Sequence, residues 1–199
     1  GGGNVAVGTF ALDATTTQSY NTAIGHEAMT VTSSGGSNVA VGAFAMDANT
    51  SGNSNTTVGR TSLSDNTTGS QLTAVGKDAL KSNTTASNNV GIGYQALLLN
   101  TTGTGNVAVG AYALDANTTS GENTAVGHAA LSVNTAANNT AVGNSAGLAL
   151  TTGSTNTMVG RDAGKGATTT ANSVLIGSYT GLEAMTGGSQ VAVGVQALQ

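Results

Sequence analysis

The chain has 199 residues, a formal net charge of −4, no Cys, Pro or Trp, and 7% charged residues where about 25% is usual. Its five cations, Arg60, Lys77, Lys81, Arg161 and Lys165, make no basic stripe that tracks phosphates, and no apolar run approaches the ~18 residues of a membrane span, so neither nucleic-acid binding nor membrane insertion is expected. Disulfide and thiolate chemistry are excluded, disorder is opposed by the many β-branched residues, and 3% aromatics cannot build a thick core, which leaves regular backbone pairing as the source of stability.

The first element is "NVAVGTFAL" at 4–12, and the phrase returns as "NTAIGHEAM" at 21–29, "NVAVGAFAM" at 38–46, "NVAVGAYAL" at 106–114 and "NTAVGHAAL" at 123–131. Its Gly stands at 8, 25, 42, 59, 76, 93, 110, 127, 143, 160, 177 and 194; ten intervals are 17 residues and one, from Gly127 to Gly143, is 16. Taking this Gly as an anchor, the residue before it is Val or Ile in all twelve copies, the residue three before is Val or Thr in all twelve, and the one between them is Ala in eight. Four before the anchor stands Asn in nine copies; three after it stands Ala in ten; four after it stands Leu or Met in nine and Gly in the other three. A polar stretch, often "NTTG" or "NTTSG", leads to the next copy.

The alternating β-branched phrase predicts a strand in every copy. A 17-residue unit is too short for a helix pair and suits one coil of a parallel β-solenoid: strand, Gly corner, a short Ala/Leu segment and a polar return. The expected fold is therefore all-β, a single solenoid domain over 1–199 of about twelve coils, roughly 55–60 Å long at ~4.8 Å per coil. Each column then stacks on itself, so Val packs on Val or Ile, the Asn four before the anchor forms an amide ladder, and the anchor Gly makes a turn that a Cβ would oppose. The strand is apolar on both faces, and the small Ala column suggests close approach of another chain, with a homotrimer about the long axis the simplest cover. After the 16-residue interval "AL" becomes "AG" or "TG" at Gly147, Gly164 and Gly181, which predicts an irregular coil near 134–148.

"NTAVGHAALSVNT", "NVAVGAYALDANTTSGENTAVG" and "NTMVGRDAG" resemble the repeats of bacteriophage tail-fibre and related virion appendage proteins, over essentially the whole chain. The N-x-A-[VI]-G core is also similar to the head repeats of trimeric autotransporter adhesins, which implies a left-handed β-roll built as a trimer. Adhesin heads use a somewhat shorter repeat, so the longer "NTTG" return favours the fibre resemblance. The opening "GGGN" without Met, and the absence of a coiled-coil stalk, membrane barrel or self-cleaving chaperone domain, fit a processed chain or a piece of a longer one.

No acid, base and nucleophile set falls at neighbouring coil positions, so no enzyme, metal or cofactor is expected. His26 and His128 lie six coils apart, about 29 Å, and read as exposed corners. Asp13, Asp47 and Asp115 share a column without the acidic continuity of a calcium roll, and Lys77 beneath Arg60 is relieved by Asp78. Phe10, Phe44, Tyr112 and Tyr179, two after the anchor, share a column with Glu, Asp and Gln; it is partly exposed, and its rings are candidate glycan contacts or cover for the adjoining coil. The "N-T-T" sequons read as a by-product of the turn, and the Thr array as too bent to match ice. The expectation is a structural fibre shaft of a virion or cell surface, supporting host attachment beside other fibre proteins. The alternatives are an adhesin head binding matrix or glycan, and a soluble ice- or carbohydrate-binding solenoid.

Overall fold

In a computed structural model, which describes residues 1–14, 17–183, 185 and 187–198, each copy of the phrase forms a three-residue strand. These are β1 (Val5–Val7), β2 (Thr22–Ile24), β3 (Val39–Val41), β4 (Thr56–Val58), β5 (Thr73–Val75), β6 (Val90–Ile92), β7 (Val107–Val109), β8 (Thr124–Val126), β9 (Thr140–Val142), β10 (Thr157–Val159), β11 (Val174–Ile176) and β12 (Val191–Val193). All twelve lie in one parallel sheet in chain order, and partners are one repeat apart, as in Val107↔Thr124. The chain is thus a parallel β-solenoid, in which coil n carries βn and the segment that follows it.

In β2 to β12 the middle residue is buried and its two neighbours face outward, as the period of two requires, while Ala6 of β1, in the end coil, is exposed. Ala23, Ala40, Ala74, Ala108, Ala125 and Ala141 are fully buried against the Leu/Met column of Met29, Met46, Leu63, Leu80, Leu97, Leu114 and Leu131. The Ala column is therefore the interior of its own coil and does not face another chain, a correction to the argument drawn from its small size. Its smallness sets the thickness of the coil: one methyl on the strand side meets one branched side chain from the opposite wall.

The corners explain the invariant Gly. Every anchor has φ between +130° and +144°, and a Cβ on Gly110 would lie 2.4 Å from the Gly127 carbonyl oxygen of the next coil. Both the dihedral and the stacking distance exclude a side chain. The Leu/Met column is itself left-handed, with Leu97 at φ 53° and Leu114 at 51°, a local cost of about 1 kcal/mol accepted for the core it fills. Gly147, Gly164 and Gly181 relieve that cost at φ 63–64°, and the vacated space is refilled by other side chains, at Gly147 by Leu131 and Met158 of the adjoining coils. In coils 10 and 11 the filler is Met158 or Leu175 in place of the strand Ala; a Cβ on Gly164 would sit 2.4 Å from Met158 Sδ.

Two buried Asn columns form a polar spine. In the column before the strands, the side chain carbonyl accepts the backbone N–H of the next coil, as in Asn38 N–H to Asn21 Oδ1 at 2.9 Å. Its Nδ2 donates to a return-turn carbonyl, as in Asn38 to Gly52 O at 2.9 Å. The chain of amide on amide lies mainly elsewhere, in the Asn that opens each "NTTG" turn: Asn66 donates to Asn49, Asn83 to Asn66, Asn100 to Asn83 and Asn117 to Asn100, at 2.8–3.2 Å. In coils 3, 4, 6, 7 and 8 both columns converge on one carbonyl, Gly52 O for example receiving Asn38 and Asn49. The ladder expected before the strand is thus mainly a side chain-to-backbone ladder, and the amide ladder sits in the turn that composition marks only as polar.

The 16-residue interval leaves the sheet intact, since β8 and β9 keep full register from Thr124↔Thr140 to Val126↔Val142. The missing position lies in the return turn. Asn123 and Asn134 both donate to Ala136 O, as Asn106 and Asn117 donate to Ser120 O one coil earlier, so the residue lost is the one after Thr135.

Candidate functional site

Three kinds of surface run along the rod. The first is the outer sheet face, made by the two outward residues of each strand. All 24 positions are Val, Ile or Thr, and none is charged. Ile24, Val58, Ile92, Val142 and Ile176 are 37–39% exposed, so a continuous β-branched strip faces outward in the single chain.

The second is the corner after the anchor, where 13 of the chain's 14 acidic and basic residues fall one to six positions after an anchor Gly; Glu122, twelve after Gly110, is the exception. Lys77 pairs with Asp78 at 3.6 Å, and Asp162 with Arg161 at 3.4 Å and Lys165 at 3.1 Å. Partial burial alone would raise the Asp78 carboxyl, but the Thr61 hydroxyl and the Lys77 charge outweigh it and hold Asp78 below the ordinary value. Asp47 and Asp115 behave oppositely. Burial pushes both carboxyls up, with Asp65 and Glu27 adding to the effect at Asp47, and one oxygen of each, Oδ1, is buried without a hydrogen-bond partner.

Five of the six aromatic residues lie on this corner too, Tyr20 standing exposed in a return segment instead, but they do not converge on one site. Phe10, His26 and Phe44 stack edge to face with centroids 6.3 and 5.3 Å apart, and Tyr94, Tyr112 and His128 do the same at 5.3 and 5.8 Å. Tyr179 stands apart beneath Arg161, whose guanidinium is 4.5 Å from the ring centre, while Lys77 lies 5.6 Å over Tyr94. The residue one after the anchor meets the residue two after the anchor in the adjoining coil, which brings His26, His128 and Tyr94 into clusters that a single-column reading misses. The rings therefore cover neighbouring coils, while Phe10 and Tyr112 keep 56% and 37% of their surface exposed.

The third surface is the return turn. Its Thr column is tied to the stack: Thr50, Thr67, Thr84 and Thr101 each donate a hydroxyl to the Thr carbonyl one coil on, at 2.9–3.1 Å. The Asn of the "N-T-T" tripeptides, Asn55, Asn66, Asn83, Asn100 and Asn117, are fully buried, so in the folded rod these sequons are packing positions. Among the described residues no three His, Cys, Asp or Glu side chains gather as a metal site and no pocket opens. No family, characterised protein or solved structure matches the chain.

Proposed function

We propose that the chain is the shaft of an extracellular or virion-borne fibre, in which three parallel copies pack their outer sheet faces about a common axis and hold an attachment tip at a distance. The observation that carries this reading is the uncharged Val/Ile/Thr face along all twelve strands. A contiguous uncharged strip rising roughly 55 Å is the kind of surface that marks an interaction face, and closed rotational symmetry lets identical parallel faces satisfy one another. The role is mechanical, and the repeat serves it by making every cross-section alike.

Sedimentation equilibrium tests the association: the expected mass is about three times the 19.1 kDa chain. Val109→Asp, on the outward face, should give a monomer with an unchanged circular dichroism spectrum. Ala108→Asp, one residue away but inside the coil, should unfold the chain by burying an unpaired charge, at about 3 kcal/mol or more. A wild-type monomer at micromolar concentration would sink the proposal.

The exposed surface of Phe10 and Tyr112 favours one second reading, an adhesin head that binds glycan through the corner clusters. Tyr112→Ala separates the two. Loss of cell attachment at full stability would select the head, and unchanged attachment the shaft.

A further inference from the structure

Each coil-to-coil interface from coil 3 to coil 7 carries the same three bonds on its return-turn side. At the interface of coils 5 and 6 they are Asn100 Nδ2 to Asn83 Oδ1 at 3.2 Å, Thr84 N–H to Thr101 O at 3.1 Å, and Thr84 hydroxyl to Thr101 O at 3.1 Å. At the interface of coils 6 and 7 the counterparts are Asn117 to Asn100 at 2.8 Å and the Thr101 N–H and hydroxyl to Thr118 O at 2.7 and 3.0 Å. Between coils 7 and 8 all three are gone. Asn134 turns its amide to Ala136 O, which leaves Asn117 Oδ1 buried with no partner. Thr118 makes neither bond to Thr135 O, which instead accepts the Ser120 hydroxyl.

The sheet side of the same interface is untouched. Val107 N–H donates to Asn123 O at 2.8 Å, Gly127 N–H to Val109 O at 2.7 Å and Ala129 N–H to Ala111 O at 2.9 Å, as in every neighbouring coil. Beyond the seam the Thr bonds resume, from Thr135 to Thr151 and from Thr151 to Thr168, but the amide ladder of the turn does not, because Leu150 and Ala167 occupy its column.

We propose that this seam is a one-sided hinge: the rod opens and bends at the return turns of coils 7 and 8 while the sheet stays continuous across it. In a solenoid each coil contacts only its neighbours, so an interface that loses bonds on one wall is where bending concentrates. The hinge lies at the return turns and not on the sheet face assigned above to association, so it works in the single chain and in a bundle, and it does not rest on the shaft reading.

Residue-resolved native hydrogen exchange tests it through amides that are bonded on both sides of the comparison. Across the seam Ala116 N–H donates to Ser132 O and Asn138 N–H to Gly121 O; in intact coils Ser82 N–H donates to Leu98 O and Asn88 N–H to Ser70 O. Ala116 and Asn138 should exchange about tenfold or more faster than Ser82 and Asn88, with Gly127 as protected as Gly93. Inserting one Thr between Thr135 and Ala136 restores the repeat length and should slow Ala116 and Asn138 to the level of their counterparts. Should that variant lose the native circular dichroism spectrum, Asn83→Ala provides the converse measurement, and Ser82 and Asn88 should speed up toward the seam values. Equal protection of Ala116 and Ser82 in the wild type, or no response to either variant, would overturn the hinge.

Discussion

At the scale of single residues, the buried amides make sharper demands than the apolar core does. Thr32 occupies the turn-ladder position of coil 2, where Asn stands in the six coils that follow, and its hydroxyl is buried without a partner. Thr32→Asn should extend the ladder by one rung, stabilising the chain by about 1 kcal/mol and raising Tm by about 2–4 °C in a thermal melt. Asp47 and Asp115, like Asn117 at the seam, also carry a buried oxygen without a partner. Because their carboxyls are raised above 3.8 in the folded chain, their protonated forms favour folding: that contribution is complete below pH 3.8 and is lost as pH rises through the folded values. Asp47→Asn with Asp115→Asn should therefore raise Tm at pH 7 and flatten its dependence on pH just above 3.8, which a set of melts from acid to neutral pH will read directly. Neither residue announces this in the sequence, where both are acidic members of a mixed column.

At the scale of the element, the strands were legible because each meets two independent constraints, a β-branched residue on either side of an inward one, usually small, and a Gly at the corner that follows. The direction of the faces was less so. A Val–Ala–Val triplet has apolar side chains both ways, and only the Leu/Met column opposite, itself held in a left-handed turn, shows that Ala is the buried one. The same pairing explains why the Leu column and the strand Ala change together in coils 10 and 11. Gly164→Leu alone should collide with Met158 and cost about 2–3 kcal/mol, and Met158→Ala alone should leave a cavity worth about 2–4 kcal/mol. Combined, they recreate the Ala-with-Leu or Ala-with-Met arrangement of coils 2, 3, 5, 7 and 8, so denaturant titrations should give a double variant at least about 1 kcal/mol more stable than additivity allows. The ring clusters were only half legible, because stacking brings the position after one anchor beside the second position after the next.

For the whole molecule, the segregation of surfaces is the organising fact. Charge, Glu122 apart, gathers after the anchors, small polar residues fill the return turns, and an uncharged β-branched strip lines the sheet, a division that the repeat enforces by giving each column one environment over eleven returns. That much follows from the periodicity of the sequence. What covers the strip does not follow from it, since packing between copies leaves no mark on the spacing of one chain; the mass measurement proposed above addresses that question.

The in-phase register makes length a counted quantity. Partners sit 17 residues apart in ten of the eleven strand pairs, so removing a whole unit such as residues 60–76 joins Gly59 to Lys77 and returns the same columns, the same amide convergence and the same outer strip. The rod shortens by about 4.8 Å and its cross-section is unchanged. Removing one residue does something else, as the interval from Gly127 to Gly143 demonstrates: the sheet absorbs it and one wall of bonds does not. Such a molecule measures distance in whole repeats, and a lineage or an engineer can set its reach by copying or deleting them without redesigning any contact.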